Sequence, residues 1–155
     1  MNLKHLLLLS INASIKAGKE IMNIYSTDFI VDNKKDDSPL TLADKKSNSI
    51  IELALKNTRI PYLSEEGKSI TYEERKYCEY LWIIDPLDGT KEFVKRNGEF
   101  TVNIALIKNN KPIMGVIYVP CTNDLYFGLQ DLGAFKLNID RYLKDIHELL
   151  QISQK

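Results

Sequence analysis

Cysteine is scarce in this chain, two residues in 155, and histidine and tryptophan are no commoner, at two and one. Cys78 and Cys121 are far apart and form no metal-like spacing, so they exclude a zinc knuckle or a disulfide framework and read as reduced thiols of a cytosolic protein. An excess of charge is missing too. The 21 Lys and Arg balance 21 Asp and Glu, which leaves no basic field to hold a nucleic acid. Long hydrophobic runs are also lacking: Leu6 to Leu9 is the one apolar cluster near the start. It is too short for a transmembrane segment and carries no small-residue cleavage site, so no export signal is expected. No internal repeat or low-complexity stretch appears.

What is present is an ordinary globular composition, 44% hydrophobic, enough for one core. Leu7, Ile11, Ile15, Ile21, Met22 and Tyr25 recur near helical spacing and predict a long amphipathic helix over Leu3–Tyr25. Phe29 to Val31 reads as a short strand and Asp32 to Pro39 as a charged surface loop. Thr41 followed by Asp44 has the form of a capping box, opening a second helix whose apolar stripe is Ile50, Ile51, Ala54 and Leu55. Tyr80 to Ile84, Thr101 to Ile107, Ile113 to Val119 and Leu125 to Leu129 read as strands, the last three forming an antiparallel meander. Thr90 is a candidate cap for a short helix at Lys91 to Val94. Beyond Phe135 the three- and four-residue steps of Ile139, Tyr142, Leu143, Ile146, Leu149 and Leu150 predict a closing helix. Such a chain is α+β.

The chemistry concentrates in Asp85-Pro86-Leu87-Asp88-Gly89-Thr90, which follows the apolar run Leu81 to Ile84, and in Glu65-Glu66, which follows Ile60 to Leu63. Two strands thus end in acid. Carboxylate oxygens suit a hard cation such as magnesium, which is commonly held by one or two carboxylates together with substrate phosphate oxygens. Pro86 stiffens the expected turn and leaves the Leu87 carbonyl free to face an ion. Gly89 admits close backbone approach, and the amides of Gly89 and Thr90 at a helix start favour a phosphate oxygen. Asp-Pro-x-Asp-Gly is also an ordinary turn sequence with solvated acids, and Asp44 can serve only its own helix. His5, His147 and the two cysteines read as bystanders.

The string from Trp82 to Phe93, with Asp85, Asp88, Gly89 and Thr90 inside it, resembles the first signature of the magnesium-dependent, lithium-sensitive phosphatases of the inositol monophosphatase superfamily. Lys34 to Asp44 and Leu63 to Glu66 are similar to segments of its bacterial CysQ-type branch, the 3'(2'),5'-bisphosphate nucleotidases of sulfur metabolism. The resemblance implies a layered α/β sugar-phosphatase fold and Mg2+ as cofactor. It implies Glu65, Asp85, Asp88 and the Leu87 carbonyl as metal ligands, with Glu65, Leu87, Asp88, Gly89 and Thr90 around the substrate. Thr90 paired with Asp44 would orient the attacking water, and Glu65 would share in catalysis. The substrate expected is a small nucleotide bisphosphate, adenosine 3',5'-bisphosphate, in the cytoplasm, with peripheral inner-membrane association conceivable for the family. Lys34 and Asp36 carry over only weakly.

The resemblance covers about Ile11 to Phe135 and divides the chain into an amino-terminal phosphatase domain, 1–135, and an unmatched helical tail, 136–155. Family members continue with a second, Trp-Asp-containing signature, for which no later Asp here has a comparable context. The expectation is therefore an amino-terminal portion whose meander carries apolar residues on both faces and favours a homodimer. The alternatives are an inositol monophosphatase-type activity or an inactive remnant that binds a cation or a phosphate.

Overall fold

The computed structural model describes residues 2–33, 39–67 and 70–141. Helix α1, Leu3–Tyr25, is opened by the Asn2 side chain, which accepts the His5 amide at 3.1 Å. Its buried stripe includes Leu7, Ile11, Ile15 and Ile21, the face the periodicity predicts. Strands β1, Val31–Asn33, and β2, Pro39–Thr41, pair antiparallel as a small hairpin. Helix α2, Leu42–Leu55, follows, with Thr41 as its cap and the Thr41–Asp44 box formed in full.

The remaining strands make one sheet of six, in order β3-β4-β5-β6-β7-β8: β3 Tyr62–Ser64, β4 Tyr80–Asp88, β5 Thr101–Lys108, β6 Lys111–Val119, β7 Asp124–Leu129 and β8 Gly133–Asn138. A short helix α3, Tyr72–Arg75, lies between β3 and β4, and α4, Thr90–Lys95, between β4 and β5. From β4 onward the pairing is antiparallel, whereas β3 joins β4 in parallel. The sheet is therefore mixed rather than a pure meander.

Helices α1 and α2 pack on each other, α1 against β5, β6 and β7 and α2 against β4. Between helices and sheet lie Trp82, Ile84, Val102, Ile104, Leu106, Val116 and Tyr118, all buried. Alpha-helix and sheet approach so closely at Gly18 that a Cβ there would sit 2.3 Å from Tyr118 Cε1. The opposite face of the sheet keeps Ile117 and Tyr126 exposed, at 45% and 37%. Both long helices thus lie on one side. No helix among the described residues is long and apolar enough to cross a membrane.

Two expectations are shifted. The first strand begins at Val31, not Phe29, because Val31 is where pairing with Thr41 starts, while Phe29 is drawn 4.7 Å from the Phe93 ring into a cluster with Tyr25 and Phe100. The boundary expected after Phe135 falls inside β8, where Lys136 pairs with Tyr126 and Asn138 with Asp124. A helical turn does begin at Ile139. Residues 142–155, the charges at 34–38 with Lys34 and Asp36 among them, and His147 lie outside the described residues.

Arg96 locks the aromatic cluster to α1. Its guanidinium donates to the carbonyls of Tyr25 and Thr27, each at 2.5 Å, and stacks 4.8 Å from the Phe29 centroid. Losing a forked charged donor and its ring contact is worth roughly 1–2 kcal/mol, about 3–6 °C of melting midpoint for a chain of this size. Arg96→Ala should show that drop by circular dichroism. Arg96→Lys should fall nearly as far, since an ammonium cannot reproduce the fork; an unchanged midpoint in both would refute the assignment.

Candidate metal and phosphate site

Parallel pairing of β3 and β4 sets Tyr62 beside Trp82 and Ser64 beside Ile84, so the two acidic strand ends emerge side by side. The ladder continues one step further, with the Glu65 amide donating to the Ile84 carbonyl at 3.2 Å. Glu65 and Asp85 are thereby neighbours across adjacent strands, whose axes run about 4.8 Å apart. Contact follows from register.

Asp88 reaches the same place by a different device. In a regular strand, side chains three residues apart point to opposite faces. Here Asp85 is opposite Asn103 and Asp88 opposite Thr101, so β4 spends three steps where β5 spends two. That irregularity is a β-bulge, and its extra residue returns Asp88 to the face occupied by Asp85. The expected tight turn after Ile84 is thus a bulged continuation of the strand. Asn103, not foreseen from sequence, donates to Asp88 Oδ2 at 3.0 Å and accepts the Thr101 hydroxyl at 3.0 Å.

Gathering three acids raises the proton affinity of the innermost one. Asp85 is pushed up to about 7, first by burial, then by the charges of Glu65 and Asp88, with the Leu87 amide, 3.3 Å from Oδ1, pulling the other way. No ion pair among the described residues involves Asp85 or Asp88. A site of hard oxygen donors with surplus negative charge fits a divalent cation. Even so, among the described residues no three Asp, Glu, His or Cys side chains stand together in an arrangement that could hold an ion, and Asp88 Oδ2 is engaged by Asn103.

Beside the acids stands a buried hydroxyl–carboxylate pair. Asp44 is 1% exposed. Its Oδ2 accepts both the amide and the hydroxyl of Thr41, at 2.7 and 2.6 Å, and its Oδ1 accepts the Thr90 hydroxyl at 2.9 Å across 46 residues of chain. The local capping role and the long-range one are therefore both real. Thr90 does not cap α4: the cap is Gly89, in the left-handed region at φ 92, and Thr90 is the first helical residue. Its hydroxyl also lies 3.1 Å from the Leu87 carbonyl, but its single proton is directed to Asp44 at the shorter distance, which leaves the carbonyl lone pairs for an ion. The Leu87 side chain is buried in the core.

Sequence reading missed Ser47, Asn48 and Ser64, all buried. Ser47 Oγ donates to the Pro86 carbonyl at 2.6 Å, and Ser64 Oγ to Asn48 Oδ1 at 2.5 Å. The signal was available: Asp44, Ser47 and Asn48 are polar residues at i, i+3 and i+4 on the stripe that continues as Ile51 and Leu55.

Known proteins are similar to this chain. A 3'(2'),5'-bisphosphate nucleotidase CysQ of Haemophilus influenzae is 36% identical over 143 residues, 91% of this chain and 53% of that protein. The protein of the same name from Escherichia coli strain K12 is 47% identical over 114 residues, 71% of this chain and 46% of its own. The crystal structure of CysQ from Bacteroides thetaiotaomicron, described as a bacterial member of the inositol monophosphatase family, superposes with a TM-score of 0.77 at 48% identity, covering 87% of this chain and 49% of that one. The chain spans about half the length of the curated relatives it matches. The sequence profile of the Inositol monophosphatase family extends over residues 2–155, past the boundary expected at Phe135, and with that match and these relatives the chain belongs to the inositol monophosphatase family.

Proposed function

We propose that this chain serves a magnesium-dependent phosphomonoesterase of the 3'(2'),5'-bisphosphate nucleotidase type, converting adenosine 3',5'-bisphosphate and water to AMP and phosphate. The observation that carries the reading is the meeting of three elements at one end of the sheet: the Glu65 and Asp85 strand ends, the bulge that turns Asp88 toward them, and the Thr90–Asp44 hydrogen bond. The similarity to proteins named bisphosphate nucleotidase supports the substrate class.

In this reading Glu65, Asp85, Asp88 and the Leu87 carbonyl hold magnesium. When bound, the ion supplies charge that neutralises phosphoryl oxygens and makes water more acidic. The Gly89 and Thr90 amides face a phosphate oxygen. Thr90, donating its own proton to Asp44 Oδ1, keeps an oxygen lone pair to accept a hydrogen bond from the attacking water. Asp44, held at both oxygens, fixes the hydroxyl's direction. The water oxygen bonds to phosphorus as the bond to the 3' oxygen breaks, and AMP leaves with a proton on that oxygen.

Phosphate release from adenosine 3',5'-bisphosphate with Mg2+ should exceed that of Asp88→Ala by at least about a hundredfold and fall when Li+ is added. Inositol 1-phosphate in parallel should turn over more slowly; the reverse order would move the substrate to the inositol branch. Turnover equal to the Asp88→Ala background would eliminate the enzyme reading. A second reading is binding of cation or phosphate without turnover, which that result combined with retained Mg2+ binding would establish.

A further inference from the structure

We infer that Ser47 and Ser64, each tied through α2, are positioning residues that set the separation of the Glu65 and Asp85 carboxylates. The inference rests on the reading of those two acids as metal ligands.

Buried serines in this chain have a default behaviour. Ser10 and Ser14 are fully buried in α1, and each donates to a carbonyl one turn back in its own helix, Leu7 and Ile11, at 2.9 Å. That satisfies the hydroxyl locally. Ser47 is equally buried, yet it donates across 39 residues of chain to the Pro86 carbonyl at 2.6 Å. The peptide it grips is the one between Pro86 and Leu87. Among the described residues no peptide is cis, so in that planar unit the carbonyl and the N–H point opposite ways. Ser47 holds the carbonyl end. The N–H end, on Leu87, donates to Asp85 Oδ1 at 3.3 Å. The orientation of one peptide plane is thus fixed from α2 at one side and transmitted to a ligand oxygen at the other.

Asn48 does the same service for the neighbouring strand. Its Oδ1 accepts the Ser64 hydroxyl at 2.5 Å, and its Nδ2 donates to Glu52 Oε1 at 2.8 Å, which fixes the amide's orientation. Ser64 is the residue immediately before Glu65. Consecutive residues of α2 therefore clamp the two strand ends from which the acids project, and Asp44, one turn earlier on the same helix, receives Thr90. One rigid element gauges all three parts of the site. Supporting hydrogen bonds of this kind usually carry a tenfold or larger share of metal affinity.

The test is direct titration with Mn2+, following the free ion by electron paramagnetic resonance, at a temperature where circular dichroism shows folded protein. Wild type is compared with Ser47→Ala, Ser64→Ala and Ser14→Ala, the last a buried serine with no link to the site. Ser47→Ala and Ser64→Ala should each weaken Mn2+ binding by roughly tenfold, while Ser14→Ala stays within twofold of wild type. If wild type and all variants bind alike within twofold, the positioning role is overturned and the ligand assignment stands. If wild type itself shows no saturable binding, the ligand assignment fails and the inference with it. Should one variant not fold, the other decides; if both unfold while Ser14→Ala folds, the bonds serve stability alone and the inference is overturned.

Discussion

Asp85→Asn should weaken Mg2+ binding at least about a hundredfold and at the same time make the metal-free chain more stable at pH 8. The two effects have one origin. In the folded chain the Asp85 carboxyl is raised from 3.8 to about 7 by burial and by the charges of Glu65 and Asp88. Between pH 4 and pH 7 the folded state then binds a proton that the unfolded chain has already released, so this group's contribution to stability is complete in acid and is lost as pH rises toward 7. Asparagine removes that dependence. Discounting for the solvent that reaches a half-buried carboxyl, the gain at pH 8 is roughly 1–2 kcal/mol.

An ion must displace the same proton. Wild-type Mg2+ affinity should therefore fall by close to tenfold per pH unit below about 7, the value to which Asp85 is raised. Calorimetric titrations in buffers of differing ionisation enthalpy should register nearly one proton released at pH 6 and little at pH 8. Equal affinities at pH 5.5 and 7.5 would contradict the description of Asp85 as the inner acid of the cluster.

Gly89→Ala is the second large effect. Gly89 sits at φ 92, and an added Cβ would lie 2.8 Å from the Glu99 carbonyl oxygen and 3.3 Å from Phe100 Cα. Both neighbours are backbone, so neither can swing aside. Left-handed strain of about 1–2 kcal/mol adds to that collision for a total near 3–5 kcal/mol, and a melting midpoint lower by roughly 10 °C. Gly89→Asn discriminates the causes. Asparagine tolerates positive φ but carries the same Cβ, so it should fare as badly as alanine; recovery to within about 1 kcal/mol of wild type would mean that close approach is not the constraint.

Long, strongly patterned segments were legible. The stripe of α1, the Thr41–Asp44 box and the alternation of Val102, Ile104 and Leu106 each state their geometry locally, and the structure has all three. Tyr80 to Ile84 was legible for the same reason, as an apolar run too short for a helix. The parallel partnership of β3 was not, because three residues, Tyr62–Ser64, carry no mark of which strand they will join. Strand β8 was hidden by its composition: Gly133, Ala134, Lys136 and Asn138 have weak strand preference, and their pairing with β7 is a tertiary effect. Thr90 looked like a cap because threonine usually is one. The preference for a glycine at the cap comes from Glu99 and Phe100, just ahead of β5, whose approach to Gly89 no local pattern records. At the site, residue types revealed the acids, and the family resemblance pointed to Thr90 and Asp44. The clamps at Ser47 and Asn48 went unread because serine and asparagine in a helix ordinarily face solvent or their own backbone.

The bulge in β4 makes the acid cluster a matter of parity. Asp85 and Asp88 share a face only because an odd number of steps has been converted to an even one. Deleting a single residue from the Pro86-Leu87 pair would leave the carboxylates two apart on a straight strand, still on one side, but would strip out the peptide that Ser47 grips. Straightening the strand at its present length would instead drive Asp88 into the oily layer beneath the helices. Length and shape in this segment are consequently inherited together, and neither can drift without the other.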